Sequence, residues 1–267
     1  MPPNQEKILL EEVFSGILRL TLNDEKRRNA LSENMLDLLY AKIMAAAENS
    51  EVRVIILAAK GAVFCAGHDL KEITEARSSE DKGISYFKKL FDKCSEVMSA
   101  IVTHPKPVIA EINGIATAAG CQIVASCDLA IASYSSKFAT PGVNIGLFCS
   151  NPMVALSRNV SNKHAMEMLL TGEMVDSARA EQIGLINRSC DDMLLTDEVN
   201  AVANKIASKS SLTLSVGKKA FYQQSEMTLS KAYQYTSEVM VDNMLKRDAE
   251  EGISAFLTKR KPEWQNK

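Results

Sequence analysis

This 267-residue sequence has little excess charge, no long apolar run and no clustered metal ligands. Its 31 basic and 33 acidic residues mix along the chain to a formal net charge of -2. No positive field is left to grip a phosphate backbone, which sets nucleic acid aside as a partner. No apolar stretch reaches the roughly 18 residues that spanning a bilayer requires, so no membrane is expected. The six cysteines (Cys65, Cys94, Cys121, Cys127, Cys149 and Cys190) include no CxxC pair. Neither they nor the three histidines sit at metal-ligand spacing, so no metal and no prosthetic group is expected. The thiols read as reduced and mostly buried. The opening MPPNQEKILLEE has neither an apolar signal core nor an Arg/Ser-rich amphipathic leader. The expected location is cytoplasmic for a bacterial chain, or the mitochondrial matrix for a eukaryotic chain trimmed of its leader.

What is present is an alternation of strand and helix signals. ILRLTL (residues 17–22) alternates apolar and polar residues, as a strand with one buried face does. After the polar break NDEKRRN, residues 30–49 read as a helix, with Ser32 as a cap and Met35, Leu36, Leu39, Ile43 and Ala47 at helical spacing. VRVIILA (52–58) is β-branched and apolar throughout, which suits a strand buried on both faces of a largely parallel sheet. Residues 78–102 hold a charged stretch and then a helix, while PVIAEI and LAIA supply two more strands around a helix at 118–126. This is an α/β pattern of repeated strand-helix units. Beyond about Cys190 only helices are expected, over 197–209, 212–224 and 228–246. Met240, Met244 and Leu245 are read first as core residues, with a partner-facing surface as the alternative.

Two runs of small residues carry the chemistry. VFCAGHDL (63–70) follows a strand, and its Gly67 permits a sharp turn that frees the next backbone N–H groups for a ligand. Thr117-Ala118-Ala119-Gly120 opens a helix after the Asn113-Gly114 turn, where unpaired N–H groups and the helix dipole favour negative charge. Two such donors aimed at one oxygen form an oxyanion hole. For either run alone, close helix-strand packing explains the small residues equally well.

Taken together, VFCAGHDL, the long run NGIATAAGCQIVASCDLAIAS and FATPGVNIG resemble the crotonase, or enoyl-CoA hydratase/isomerase, superfamily. The resemblance implies an α/β crotonase-like spiral of repeated strand-helix units over 1–196. It also implies a C-terminal helical region, 197–267, serving oligomerisation and covering the coenzyme A pocket. It implies a coenzyme A thioester as substrate or ligand, polarised by the backbone N–H groups of His68 and Ala119. LNDEKRRNAL and DAEEGISAFLTKRKPEW are similar to the family's nucleotide-binding loop and terminal signature. Carried across, Arg28, Ala30, Ala66, Gly67, Asp69, Leu70, Phe256 and Lys259 become the candidate coenzyme A contacts, the last two often reaching a neighbouring subunit. A homotrimer, or a dimer of trimers, is the implied assembly.

The same resemblance marks an omission. The hydratase branch carries a glutamate after the small-residue run and a second after the proline of the next loop, and here those positions are Gln122 and Gly142. Hydration needs one group to activate water and another to protonate the α-carbon, and neither residue can do so. His68 is similar to a histidine of the family's methylmalonyl-CoA decarboxylases, yet Cys149 stands where those carry a tyrosine. His68 could exchange protons or simply cover the pocket edge. Cys149 would need a base and a lowered pKa to act as a nucleophile. Asn144 and Gln122 are expected to offer hydrogen bonds inside the pocket. Asp69 is expected to cap the following helix, and Asp128 to be structural. The leading reading is a fatty-acid-related acyl-CoA protein working through a thioester enolate without standard hydration. The alternative is a non-catalytic acyl-CoA-binding or regulatory protein.

Overall fold

The computed structural model describes residues 7–267; the first half of the opening segment MPPNQEKILLEE, residues 1–6, lies outside the described residues. Strands β1 (Leu9–Phe14) and β2 (Ile17–Leu22) form a hairpin about Ser15 and Gly16, both at positive φ as a tight turn requires. Helix α1 (Glu33–Glu48) follows, with the Ser32 hydroxyl accepting from the Met35 N–H at 3.2 Å. Three turns of a spiral come next. The first holds β3 (Val54–Ala59), β4 (Val63–Cys65), α2 (Leu70–Ala76) and α3 (Ile84–Thr103). The second holds β5 (Val108–Ile112), β6 (Ile115–Thr117) and α4 (Ala119–Ser126). The third holds β7 (Leu129–Ser133), β8 (Lys137–Ala139), a 3-10 turn over Pro141–Ile145, α5 (Pro152–Asn159) and α6 (Asn162–Thr171).

Strand β9 (Val175–Asp176), α7 (Ser177–Gln182) and β10 (Arg188–Cys190) close this part. Each turn of the spiral gives one strand to a six-stranded sheet, ordered β1-β2-β3-β5-β7-β10, and one to a four-stranded sheet, ordered β4-β6-β8-β9. Both sheets are parallel except at the β1-β2 and β8-β9 pairs.

Strand β3 explains the continuous apolar run read in the sequence. Ile55 and Leu57 face the larger core, shared with Met35, Leu36 and Leu39 of α1 and Leu90 and Val97 of α3. Val54, Ile56 and Ala58 face the opposite side. There they meet Leu195, Val199, Ala203 and Ala207 of α8 (Leu195–Ala207). The division of the chain at 196/197 therefore falls inside a helix that closes the second core. The remaining tail is α9 (Ser211–Ser225), α10 (Leu229–Met244) and α11 (Arg247–Leu257). Met240, Met244 and Leu245 are exposed in the chain, against the expectation of core packing.

A half-buried charge network pins α9 to the spiral. Asp128 accepts from the Val108 N–H at 2.7 Å, Lys218 Nζ at 2.7 Å and the Tyr222 hydroxyl at 2.9 Å. The Lys218 ammonium also donates to the carbonyls of Ile101 and Lys106. This accounts for Asp128 as a structural residue.

Candidate active site

The loop ahead of α1 and the run after β4 are built as one unit. Arg28 and Asn29 both take left-handed backbone, with φ of 55° and 51°. Asparagine tolerates that conformation, and the buried Asn29 amide fixes the loop by donating to the carbonyls of Lys60 and Val63 and accepting from the Asp24 N–H. The loop is then strapped to the second run. Ala66 N–H donates to Arg28 O at 3.1 Å, and Leu31 N–H donates to Gly67 O at 2.8 Å. Ala30 is buried beneath, while the Arg28 side chain is exposed.

The two small-residue runs converge at Gly67. Its φ is +90°, and a Cβ there would stand 2.9 Å from Ala118 Cβ and 3.3 Å from the Ala119 nitrogen. Only glycine allows this turn and this approach. Thr117 Oγ1 donates to Ala66 O at 3.1 Å, and Ala118 N–H donates to Ala139 O at 2.9 Å, which fixes the start of α4 against both neighbours. Among the described hydrogen bonds, neither the His68 N–H nor the Ala119 N–H donates within the chain. These are the two donors expected from the sequence. Ala118 sits at φ 50° and ψ -118°, a conformation that costs a residue with a Cβ on the order of 1–3 kcal/mol. The alanine side chain at 118 thus strains the backbone as well as narrowing the space beside Gly67.

The His68 imidazole stacks edge-on against Phe91 of α3, centroids 5.4 Å apart, with Nδ1 3.4 Å from Leu31 O. Burial lowers its pKa below the ordinary histidine value, so the ring is neutral at pH 7. Asp69 caps α2 through the Lys71 N–H at 2.8 Å and pairs with Arg27 at 3.2 Å, as expected of a capping aspartate. Leu70 beside it is exposed.

The two positions at which the sequence resemblance expects glutamates, Gln122 and Gly142, are accommodated in two different ways. Gln122 is 5% exposed. Its Oε1 lies 3.8 Å from Cys94 Sγ of α3, so the amide is held at the α3-α4 contact. Gly142 is enclosed: a Cβ there would stand 2.6 Å from Leu147 O and 2.9 Å from Cys149 Sγ. The segment folds back because Leu147 N–H donates to Gly142 O at 2.9 Å, and Asn151 ties it to α3 through Ser95 Oγ at 3.3 Å.

Cys149 is buried, and burial raises its pKa; Cys94 and Cys121 are pushed up to about 12 for the same reason. All three are neutral thiols at pH 7, and a thiolate nucleophile is not what this arrangement supplies. Asn144, expected in the pocket, instead turns towards the Gly172 carbonyl at 3.5 Å.

Three glutamates of the neighbouring segments, Glu72, Glu75 and Glu111, are engaged or turned elsewhere. Glu72 accepts from the Glu33 N–H at 3.0 Å and from the Tyr86 hydroxyl at 2.9 Å, joining α2 to α1 and α3. Glu75 is exposed on α2. Glu111 pairs with Arg19 at 2.8 Å and Thr196 at 3.0 Å, beside α8. Phe256, 83% exposed, and Lys259 lie at the end of α11, and no described interaction joins them to the strapped loops.

Phe91, Cys94 and Ser95 of α3 also reach into this region, which the sequence reading of 78–102 as a charged stretch and a helix does not foresee. Their lateral placement against His68, Gln122 and Asn151 depends on how α3 packs, which spacing within one helix does not reveal.

Two backbone N–H groups with no described acceptor lie at the junction of two strand-helix turns of the spiral, and the wider comparison gives the class of protein that carries them. The chain belongs to the enoyl-CoA hydratase/isomerase family, whose profile it matches over residues 12–267. It is 50% identical over 253 residues to human enoyl-CoA hydratase domain-containing protein 3, mitochondrial, covering 95% of this chain and 82% of that one. The crystal structure of human enoyl Coenzyme A hydratase domain-containing protein 3 superposes with a TM-score of 0.92 at 48% identity, covering 97% of this chain and all (100%) of that one. A Mycobacterium smegmatis structure described as an enoyl-CoA hydratase gives the same TM-score, 0.92, at 48% identity, covering 97% and 99% of the two chains.

Proposed function

We propose that this protein binds an acyl-CoA thioester, polarises its carbonyl between the N–H groups of His68 and Ala119, and stabilises the enolate, without acting as a standard enoyl-CoA hydratase. The observation that carries this reading is the enclosure of Gly142: the space a glutamate needs is filled by Leu147 O and Cys149 Sγ. Each donor of such a hole is typically worth about 2.7–4 kcal/mol of transition-state stabilisation. The hole therefore supports enolate chemistry even where hydration is lost. Decarboxylation, isomerisation and thioester hydrolysis are the reactions compatible with it, in fatty-acid metabolism.

Arg28, Ala30, Ala66, Gly67, Asp69 and Leu70 would receive the nucleotide and pantetheine portions. Phe256 and Lys259 would reach the same ligand on a neighbouring subunit of a homotrimer or dimer of trimers. Support comes from the exposed apolar residues Tyr233, Val241, Met244, Phe256 and Leu257 along α10 and α11. The human relative's name places it in mitochondria, and the same compartment is proposed for a eukaryotic source of this chain, the cytoplasm for a bacterial one.

Two measurements test the reading. Isotope-edited infrared spectra of carbonyl-labelled butyryl-CoA should show the thioester stretch moving to lower frequency on binding. Crotonyl-CoA should be hydrated no faster than background. Robust hydration that disappears on changing Gln122, or binding without any carbonyl shift, rejects it. Binding with a shift but no turnover across a thioester panel selects the non-catalytic alternative.

A further inference from the structure

We propose that residues 260–267 form a clasp that fixes α11 and so holds Phe256 and Lys259 in place for the nucleotide end of a coenzyme A thioester on a neighbouring subunit, with Asp248 and Trp264 as its positioning residues. This deepens the function proposed above and rests on its assignment of Phe256 and Lys259 as ligand contacts.

Helix α11 has little hold of its own. Its large apolar side chains Ile253, Phe256 and Leu257 are exposed, so burial of an apolar stripe, the usual anchor of a helix, does not secure it. The helix ends at Lys259, whose left-handed backbone (φ 53°) reverses the chain, with the Arg260 N–H donating to Ala255 O at 3.0 Å. The tail then runs back along the helix towards its start. Arg260 pairs with both carboxylate oxygens of Glu251, at 2.6 and 2.8 Å, and the Glu263 N–H donates to Glu251 Oε1 at 2.7 Å. Further along, Asp248 is 2% exposed and accepts the N–H groups of Gln265 and Asn266 at 2.7 and 3.0 Å. Its own N–H donates to Lys267 O at 3.2 Å. The Trp264 indole lies over Gly252, where a Cβ would stand 3.2 Å from the ring.

The same residues attach the helix to the body. Asp248 accepts from the Ser210 hydroxyl, Trp264 Nε1 donates to Ser208 O at 2.9 Å, and Asn266 Oδ1 accepts from the Ser211 N–H at 2.9 Å. The three serines lie at the turn from α8 into α9, which Arg53, just before β3, holds through Ser211 Oγ and Lys209 O. Among the described hydrogen bonds, these three and the cap at Lys246 are the ones that join α11 and the tail to the preceding chain. Helix and tail therefore make a hairpin clamped at its base. At its tip stand Phe256, 83% exposed, and Lys259. Arg260 is committed to Glu251, whereas the Lys259 ammonium has no described partner. The tip offers an aromatic face and a cation, which suit a purine ring and its phosphates. Fixing it before the ligand arrives removes the ordering cost from each contact.

Trp264 is the only tryptophan of the chain, so its fluorescence reports the clasp. Asp248→Asn offers one oxygen where three donors share two, and the emission maximum should move to longer wavelength as the indole leaves Gly252 and Ser208. Butyryl-CoA should then bind about tenfold more weakly or worse, as when an anchor contact is lost, and butyryl-pantetheine, which lacks the nucleotide, within about threefold of wild type. A chain ending at Pro262 should show the same split between the two thioesters. Phe256→Ala combined with Lys259→Ala should show it too, with the emission unchanged.

Unchanged emission in Asp248→Asn, equal weakening of both thioesters, or wild-type affinity for butyryl-CoA in both clasp variants overturns the clasp as a positioning device. If the Phe256→Ala, Lys259→Ala protein still weakens butyryl-CoA binding in that case, the two contacts stand without it. Wild-type affinity in that double variant rejects the contacts and the clasp together, while absence of butyryl-CoA binding by the wild type rejects the thioester reading beneath both.

Discussion

Replacing Gly142 by glutamate restores one family carboxylate on paper, but puts a Cβ 2.6 Å from Leu147 O and 2.9 Å from Cys149 Sγ. The carbonyl cannot retreat freely, since Leu147 N–H is bonded to Gly142 O across the same loop. Overpacking of this kind costs about 1–3 kcal/mol, and opening the loop forfeits a hydrogen bond worth about 1 kcal/mol. Gly142→Ala should therefore cost about 2–4 kcal/mol. At roughly 2–4 °C per kcal/mol for a chain of this size class, the melting temperature should fall by about 4–16 °C. Gly142→Glu should lose at least as much, and the pair Gln122→Glu with Gly142→Glu should not hydrate crotonyl-CoA. Cys149→Ala in the Gly142→Ala background should recover only the sulfur contact, leaving the clash with Leu147 O. Thermal unfolding and crotonyl-CoA hydration read both effects. A Gly142→Glu protein that melts at the wild-type temperature and gains hydratase activity would refute the reasoning.

Ala118→Gly should raise stability by about 1 kcal/mol, because releasing a strain of about 1–3 kcal/mol outweighs the backbone entropy glycine adds; chemical denaturation measures it, and a destabilised variant contradicts the strain. Lys218→Ala removes the cation beside the half-buried Asp128, which keeps its bonds from Val108 N–H and the Tyr222 hydroxyl, and should cost about 1–3 kcal/mol, whereas no measurable loss would show the network to be peripheral. His104 is buried, facing the Ile43 carbonyl, and burial lowers its pKa. The unfolded chain, near pKa 6.5, then binds protons first, so this contribution is complete above about pH 6.5 and shrinks as pH falls through it. His104→Gln should be less stable at pH 8 but lose less stability between pH 7.5 and 5; an unchanged slope would rule His104 out.

The alternation of ILRLTL, the doubly buried VIILA run and the helical tail were legible because each spans enough residues for one period to dominate. The four-stranded sheet was not, since β4, β6 and β8 have three residues each and β9 has two, shorter than any periodic signal. The two donor runs could be read only as a pair, because close helix-strand packing explains the small residues of either one alone. Their meeting at Gly67, 51 residues before Ala118, depends on adjacent turns of the spiral. The Gly142-Cys149 contact was hidden for a local reason: Pro141-Gly142 and Gly146, at φ 77°, mark a turn in FATPGVNIGLFCS, but not that the seven-residue fold-back brings the sulfur over the glycine. Met240, Met244 and Leu245 misled because a helical stripe has the same spacing whether it faces its own core or the outside.

The strapping of Arg28 and Leu31 to Ala66 and Gly67 gives stiffness a route through the molecule. The loop proposed to hold the nucleotide is also the bracket that keeps the His68 amide aimed, so gripping one end of the ligand tightens the mount at the other. A thioester with its nucleotide cut away would leave that bracket slack. The loss should then appear in the rate of enolate formation as well as in affinity, remote contacts having been converted into aim.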